Sequence, residues 1–210
     1  MSKEESAKDY WNVRSDLFAN YYVKPSKFDL LFRRGIYTRA AVAMEVIRGY
    51  KQSTVIDVGS GPGVNSVNWL KNSDISFLTG IDFAEAMITY SNELIEREGL
   101  AGRAKFIQGD FLTFDFQDQK FDVSVAMGVF DYVENSLMLL EKMGAVSNKA
   151  VVASWPRNGL RMALRRYRYT CPLFHYDEQQ VIRMHRDAGL PSVEIMSSSK
   201  SGFTTCARKG

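Results

Sequence analysis

The chain is poor in the residues that build redox and metal centres. Among its 210 residues, only Cys171 and Cys206 are cysteine and only His175 and His185 are histidine. Two thiols make no disulfide framework in a chain of this size, so a reducing compartment, the cytoplasm, is expected. Two histidines exclude a histidine-rich metal centre, and no Cys/His cluster has ligand spacing, so no metal is expected. No apolar leader is expected either: Met1-Ser2-Lys3-Glu4-Glu5 is polar and carries acids. No stretch approaches the length of a membrane span. The net charge is only +3, too weak a field to argue for nucleic acid as a partner. Low-complexity linkers and internal repeats are absent. With 45% hydrophobic and 24% charged residues, the chain reads as one ordinary globular domain with a sizeable core.

What is present is concentrated in a few stretches. In Val55-Ile56-Asp57-Val58-Gly59-Ser60-Gly61-Pro62-Gly63, a β-branched strand stops in three alternating glycines. Glycine permits positive φ and lets a ligand approach the backbone. The helical pattern of Val64–Leu70 follows, so backbone N–H groups face a crevice. A dinucleotide fingerprint would need a third glycine where Val64 stands, so a nicotinamide oxidoreductase fits poorly. The bland alternative is a glycine-rich turn without a ligand.

Two further strand ends carry acids. Leu78-Thr79-Gly80-Ile81-Asp82-Phe83 ends in a carboxylate that can accept from two ribose hydroxyls or cap the following helix. In Ala104-Lys105-Phe106-Ile107-Gln108-Gly109-Asp110-Phe111, an acid meets a neighbouring aromatic, which suits an exocyclic amine and a stacked base. Alone, Asp110 would read as a turn residue.

The D-x-G-x-G-x-G pattern of Asp57–Gly63 resembles motif I of the class I S-adenosylmethionine (SAM)-dependent methyltransferases. The strand ends at Asp82 and Asp110, and the stretch Phe121–Val133, resemble that family's second, third and fourth strands. The resemblance covers about residues 36–209. It implies SAM as cofactor, held by Asp57, Gly59, Ser60, Gly61 and Gly63 at its amino-acid end. Asp82 and Phe83 would meet the ribose, Asp110 and Phe111 the adenine, and Met127 would complete the cofactor wall. Many small-molecule members carry Leu-x-His-Val after the fourth strand. Here Phe130-Asp131-Tyr132-Val133 stands there, with Tyr132 in place of histidine. Tyr132 then positions the substrate, acts as a weak base or packs on the sheet edge. The implied activity is methyl transfer to a small anionic or aromatic metabolite at oxygen or nitrogen. The alternatives are a non-catalytic SAM-binding regulator or scaffold and, behind it, a nicotinamide oxidoreductase.

From Thr54 onward, strands are expected at 54–58, 77–81, 104–109, 121–126, 149–154, 191–197 and 202–208. Helices are expected at 64–71, 84–98, 134–146 and 177–188. Alternating elements mean an α/β domain with a mostly parallel sheet covered on both faces. Ser198–Ser201 is too short for a crossover helix, so the last two strands form an antiparallel hairpin. The resemblance implies a seven-stranded Rossmann-like sheet of order 3-2-1-4-5-7-6. Residues 1–50 form a helical cap in this reading, rich in aromatics such as Tyr10, Trp11 and Tyr21. Tyr21 is a candidate substrate contact.

Residues 155–176 form a long basic segment, a candidate lid. Arg157, Arg161 and Arg165 fall on one helical face, with Leu160, Leu164 and Tyr167 on a separate apolar face. A clamp for a substrate carboxylate or phosphate ranks first, a solvated face second, and adhesion to an anionic membrane third. The order of strand, proline, basic helix and aromatics after Ser154 is also similar to magnesium-protoporphyrin O-methyltransferases. His175, just after this segment, is a candidate base beside Tyr132 and Asp131. The expected partner is a small molecule. No nucleic-acid motif follows the fourth strand.

Overall fold

The computed structural model describes residues 34–210 and, before them, residues 7, 9–11 and 13; the side chains of 34–37 are not described. Tyr21 therefore lies outside the described residues. The elements run α1 (Arg34–Arg48), β1 (Ser53–Val58), α2 (Val64–Asn72), β2 (Ile75–Asp82), α3 (Glu85–Arg97), β3 (Ala104–Gln108) and β4 (Phe121–Ala126). They continue with α4 (Ser136–Val146), β5 (Ser147–Pro156), α5 (Leu160–Arg168), α6 (Glu178–Asp187), β6 (Val193–Ser198) and β7 (Gly202–Arg208).

The seven strands form one sheet in the order β3-β2-β1-β4-β5-β7-β6. β1 pairs in parallel with β2 and β4, β2 with β3, and β4 with β5. Only β7 runs against its neighbours β5 and β6, because the three residues between β6 and β7 can only reverse the chain. Alternation along each strand splits the core in two. Val55, Val123, Val125 and Val152 face Ile47, Trp69 and Ile88 of α1–α3. Ile56, Val58 and Val151 face Leu139, Leu140 and Met143 of α4 and Val181 of α6. Burial on both faces explains why the central strands are β-branched runs rather than alternating ones.

Two features position the site. The strand order reverses at β1, so the carboxyl ends of β1 and β4 open a crevice there. The Trp69 indole N–H donates to the Ala40 carbonyl at 3.0 Å, which pins α2 to α1 and sets α1 beside that crevice.

Candidate active site

A cavity of about 960 Å³ lies over the carboxyl ends of the strands. Its floor is the glycine loop. Gly59 and Gly61 have φ of 65° and 53°, and the N–H groups of Gly59 and Ser60 both donate to Ile81 O, at 2.8 and 3.1 Å. The three glycines serve different ends. A side chain on Gly59 would collide with Val129, so this glycine lets the tips of β1 and β4 meet. A side chain on Gly63 would strike Ser91 and Phe106, which makes this residue a packing glycine behind the cavity. Nothing lies within 4 Å of the position a Gly61 Cβ would take. Gly61 alone of the three faces open space, and it lines the cavity.

The acids also divide their work. Asp82 takes the Gly61 N–H at 2.9 Å and the Ala84 N–H at 3.0 Å, so it shapes the glycine loop and the turn that leads into α3 at once. Burial pushes its carboxyl up, against the pull of the Ala84 and Gly61 N–H groups. Asp57, expected in the cofactor loop, is not part of the cavity lining. It is buried and accepts from Ser66 Oγ of α2 at 2.5 Å. Burial, reinforced by Asp82 across the loop, pushes it up to about 7 despite the Ser66 hydroxyl. Asp57 thus ties β1 to α2, and Asp82 rather than Asp57 orders the loop.

Phe83, Asp110, Phe111 and Met127 all line the cavity, as does Ser60. Asp110 also accepts from the Leu112 N–H at 3.0 Å, a turn role that fixes where its carboxylate sits. Lys142, a residue the sequence reading missed, donates to Leu112 O and Phe114 O at 2.9 and 2.7 Å and anchors this turn to α4. The Gly128 N–H donates to Ser154 Oγ at 2.8 Å, holding the loop after β4 against β5.

The far wall is aromatic and cationic. Trp11 meets Tyr132 edge-on with centroids 5.2 Å apart, and Tyr10 stacks on Tyr169 at 5.1 Å. Arg165 reaches from α5 to pair with the buried Asp131 and donates to the Tyr132 hydroxyl at 2.9 Å. Burial alone would lower the Arg165 pKa; Asp131 and Tyr132 outweigh it and hold the guanidinium charged. Burial raises the Tyr132 pKa well above the phenol value, against the pull of Arg165. Tyr132 is accordingly a poor base and a good hydrogen-bonding hydroxyl.

Among the described residues, five side-chain polar atoms of cavity-lining residues are buried without a hydrogen-bond partner: Ser60 Oγ, Arg39 Nε, Asp131 Oδ1, Arg157 Nε and Thr204 Oγ1. Such atoms are costly unless something pairs with them. Arg39 is not among the candidates the sequence offers. Both Nη atoms lie 3.4 Å from where a Gly128 Cβ would be. The one available signal was its place immediately before the buried stripe Ala40, Ala43 and Ile47.

Three expectations need correction. Arg157 does not share a helical face with Arg161 and Arg165, because α5 starts only at Leu160. Asn158 and Gly159, the latter at φ 150°, interrupt the chain first. Arg157 pairs instead with Glu178 of α6 and donates to Ser198 Oγ, though it still touches the cavity. His175 is exposed, lies 2.8 Å from Arg166 Nη2 and does not line the cavity, so the pocket-mouth base was misplaced. Arg165 is on α5 and in the cavity as expected, but its charge is already engaged by Asp131.

A seven-stranded sheet in this order, with a glycine loop at its switch point, defines the class I SAM-dependent methyltransferase fold. Residues 50–156 match the methyltransferase domain family, and the chain belongs to that family. It is 27% identical over 128 residues to a sterol 24-C-methyltransferase of Neurospora crassa, spanning 56% of this chain and 32% of that protein. The chain thus spans about a third of the length of that relative. It is 28% identical over 163 residues to a phosphatidylethanolamine N-methyltransferase of Cereibacter sphaeroides, covering 73% of this chain and 78% of that one. In fold it is similar to magnesium protoporphyrin IX methyltransferase of Synechocystis PCC 6803, solved with bound S-adenosylhomocysteine. The TM-score there is 0.78 at 14% identity, covering 100% of both chains.

Proposed function

We infer that the chain transfers a methyl group from SAM to a small acceptor that carries an anionic group and an apolar or aromatic body. The observation that carries this reading is the single cavity joining the open backbone at Gly61 to the wall of Trp11, Tyr132, Tyr169 and Arg161. Its volume is near the upper end of the roughly 300–1,000 Å³ typical of ligand pockets. SAM, when bound, supplies an activated methyl group. The backbone around Gly59 and Gly61 would lie against its amino-acid end, and Ser60 Oγ and Arg39 would take up its polar groups there. Asp82 would accept from the ribose hydroxyls, and Asp110 and Phe111 would hold the adenine.

For displacement at the methyl carbon, the chain's main task is to align the acceptor and exclude water. Trp11, Tyr132 and Tyr169 would supply the apolar wall and Arg161 the charge. Where the acceptor must lose a proton, Asp131 Oδ1 is the candidate base, since it is buried on the lining without a partner. In this reading residues 1–50 cap the cofactor and residues 155–176 form the lid over the acceptor. One similar protein is a sterol methyltransferase and another a phosphatidylethanolamine methyltransferase, and an acceptor with a bulky apolar part suits the aromatic wall.

Calorimetry with SAM and with S-adenosylhomocysteine tests the cofactor half. Incubation with methyl-labelled SAM and a panel of carboxylated and phosphorylated aromatic and lipid acceptors tests the other. Tight cofactor binding with no transfer to any acid on the panel, but transfer to neutral acceptors, would sink the anionic assignment. Absence of SAM binding would sink the whole reading.

A further inference from the structure

Helix α5 carries its apolar stripe on the wrong side for a packing helix. Leu160, Leu164 and Tyr167 recur at helical spacing, yet they are 80, 57 and 92% exposed. Met162, on the opposite side, is the residue of α5 that is buried. At about 100° per residue, Arg161 and Arg168 flank the apolar stripe on one side and Arg166 on the other. No acid occurs anywhere from Arg157 to Tyr176. Arg157 and Arg165 are engaged by Glu178 and Asp131, which leaves the exposed Arg161, Arg166 and Arg168 as the charge bordering the stripe.

Nine residues with an outward apolar stripe bordered by arginine, and no compensating acid, fit an anionic lipid surface. The apolar side chains would enter the acyl boundary while the guanidinium groups pair with phosphates. A merely solvated helix has no use for three exposed large apolar side chains. The location adds a reason: Arg161, Leu164 and Arg168 also line the cavity, so the stripe borders its mouth.

We propose that α5 docks the protein onto an anionic lipid surface with Leu160, Leu164 and Tyr167 inserted, setting the cavity mouth against the bilayer. This goes beyond the methyl-transfer reading and is testable without turnover. The full chain is mixed with vesicles of phosphatidylcholine alone and of phosphatidylcholine with phosphatidylglycerol, and bound protein is separated by flotation. Binding is expected only to the mixed vesicles and should weaken with added salt. The variant Leu160→Ser/Tyr167→Ser should lose at least about tenfold in vesicle affinity. Arg168→Gln should lose about fivefold, equivalent to the ~1 kcal/mol of one basic residue near an anionic surface. Tyr167→Ser alone, at a side chain almost wholly in solvent, guards against a folding defect in the double variant and should also weaken binding. Calorimetric SAM binding, measured in parallel, separates failure of docking from failure of the cofactor assignment. No binding by the wild type, equal binding to neutral vesicles, or unchanged binding by the variants overturns the proposal. A dimer that dissociates on Tyr167→Ser, without vesicle binding, would assign the stripe to a second copy of the chain and also overturns it.

Discussion

Arg165 on α5 and Asp131 in the loop after β4 form an ion pair with only 20 and 4% of their side chains exposed. The pair fastens the basic helix over the cavity, and it brings Tyr132 with it through the hydrogen bond from the same guanidinium. Breaking a buried pair from one side leaves an uncompensated charge, at a cost of about 3–5 kcal/mol. Arg165→Leu should therefore destabilise the protein by an amount of that order in urea unfolding. The double change Arg165→Leu/Asp131→Asn should restore much of the loss, because no charge is then stranded. A double variant as unstable as the single one would show that packing, not the charge pair, governs this contact.

The glycines of the loop separate affinity from stability. A Gly61→Ala side chain points into open space, at a left-handed φ that costs roughly 1–2 kcal/mol. The protein should remain folded, while SAM binding drops sharply because the methyl group stands where the cofactor backbone would lie. Gly63→Ala should do the reverse, since its Cβ would press on Ser91 and Phe106. Its thermal midpoint should fall further than that of Gly61→Ala. Calorimetry and thermal melts on both variants check the pair of outcomes, and matching SAM affinities would contradict the assignment of Gly61.

Asp82 holds the Gly61 and Ala84 N–H groups with one carboxylate. Hydrogen bonds to a charged group contribute about 1.5–3 kcal/mol. Asp82→Ala should lower stability and weaken SAM by roughly tenfold to a hundredfold together. Stability loss at constant SAM affinity would reduce Asp82 to a residue that only shapes the turn before α3.

Asp57 should leave a mark on the pH dependence of stability. Burial raises its folded pKa from the ordinary 3.8 to about 7. The folded state thus holds this proton to higher pH than the unfolded chain does. The contribution is fully present below 3.8 and is lost as the pH rises through about 7. Asp57→Asn removes the ionisation, so wild-type stability should fall relative to the variant across that window by up to about 4 kcal/mol. Urea unfolding of both proteins at several pH values measures it; parallel pH curves would be incompatible with a protonated Asp57.

The sequence by itself determined the strand boundaries at β4 and β7, the glycine loop and the reversed direction of β7, while the strand order was what the family resemblance implied. These rest on local chemistry: β-branched runs buried on both faces, glycines where the backbone turns left-handed, and a reversal too short to cross over. Tertiary structure alone decided which charges are already engaged. Arg157 meets Glu178 and Arg165 meets Asp131 across 21 and 34 residues. Neither periodicity nor spacing encodes such partners. His175 likewise turned away from the cavity and Arg39 turned toward it, because helix packing sets where a long side chain can reach. Whether the apolar stripe of α5 faces core or solvent was undecided for the same reason. An amphipathic pattern states that a helix has two faces, and only its neighbours state which of them is covered.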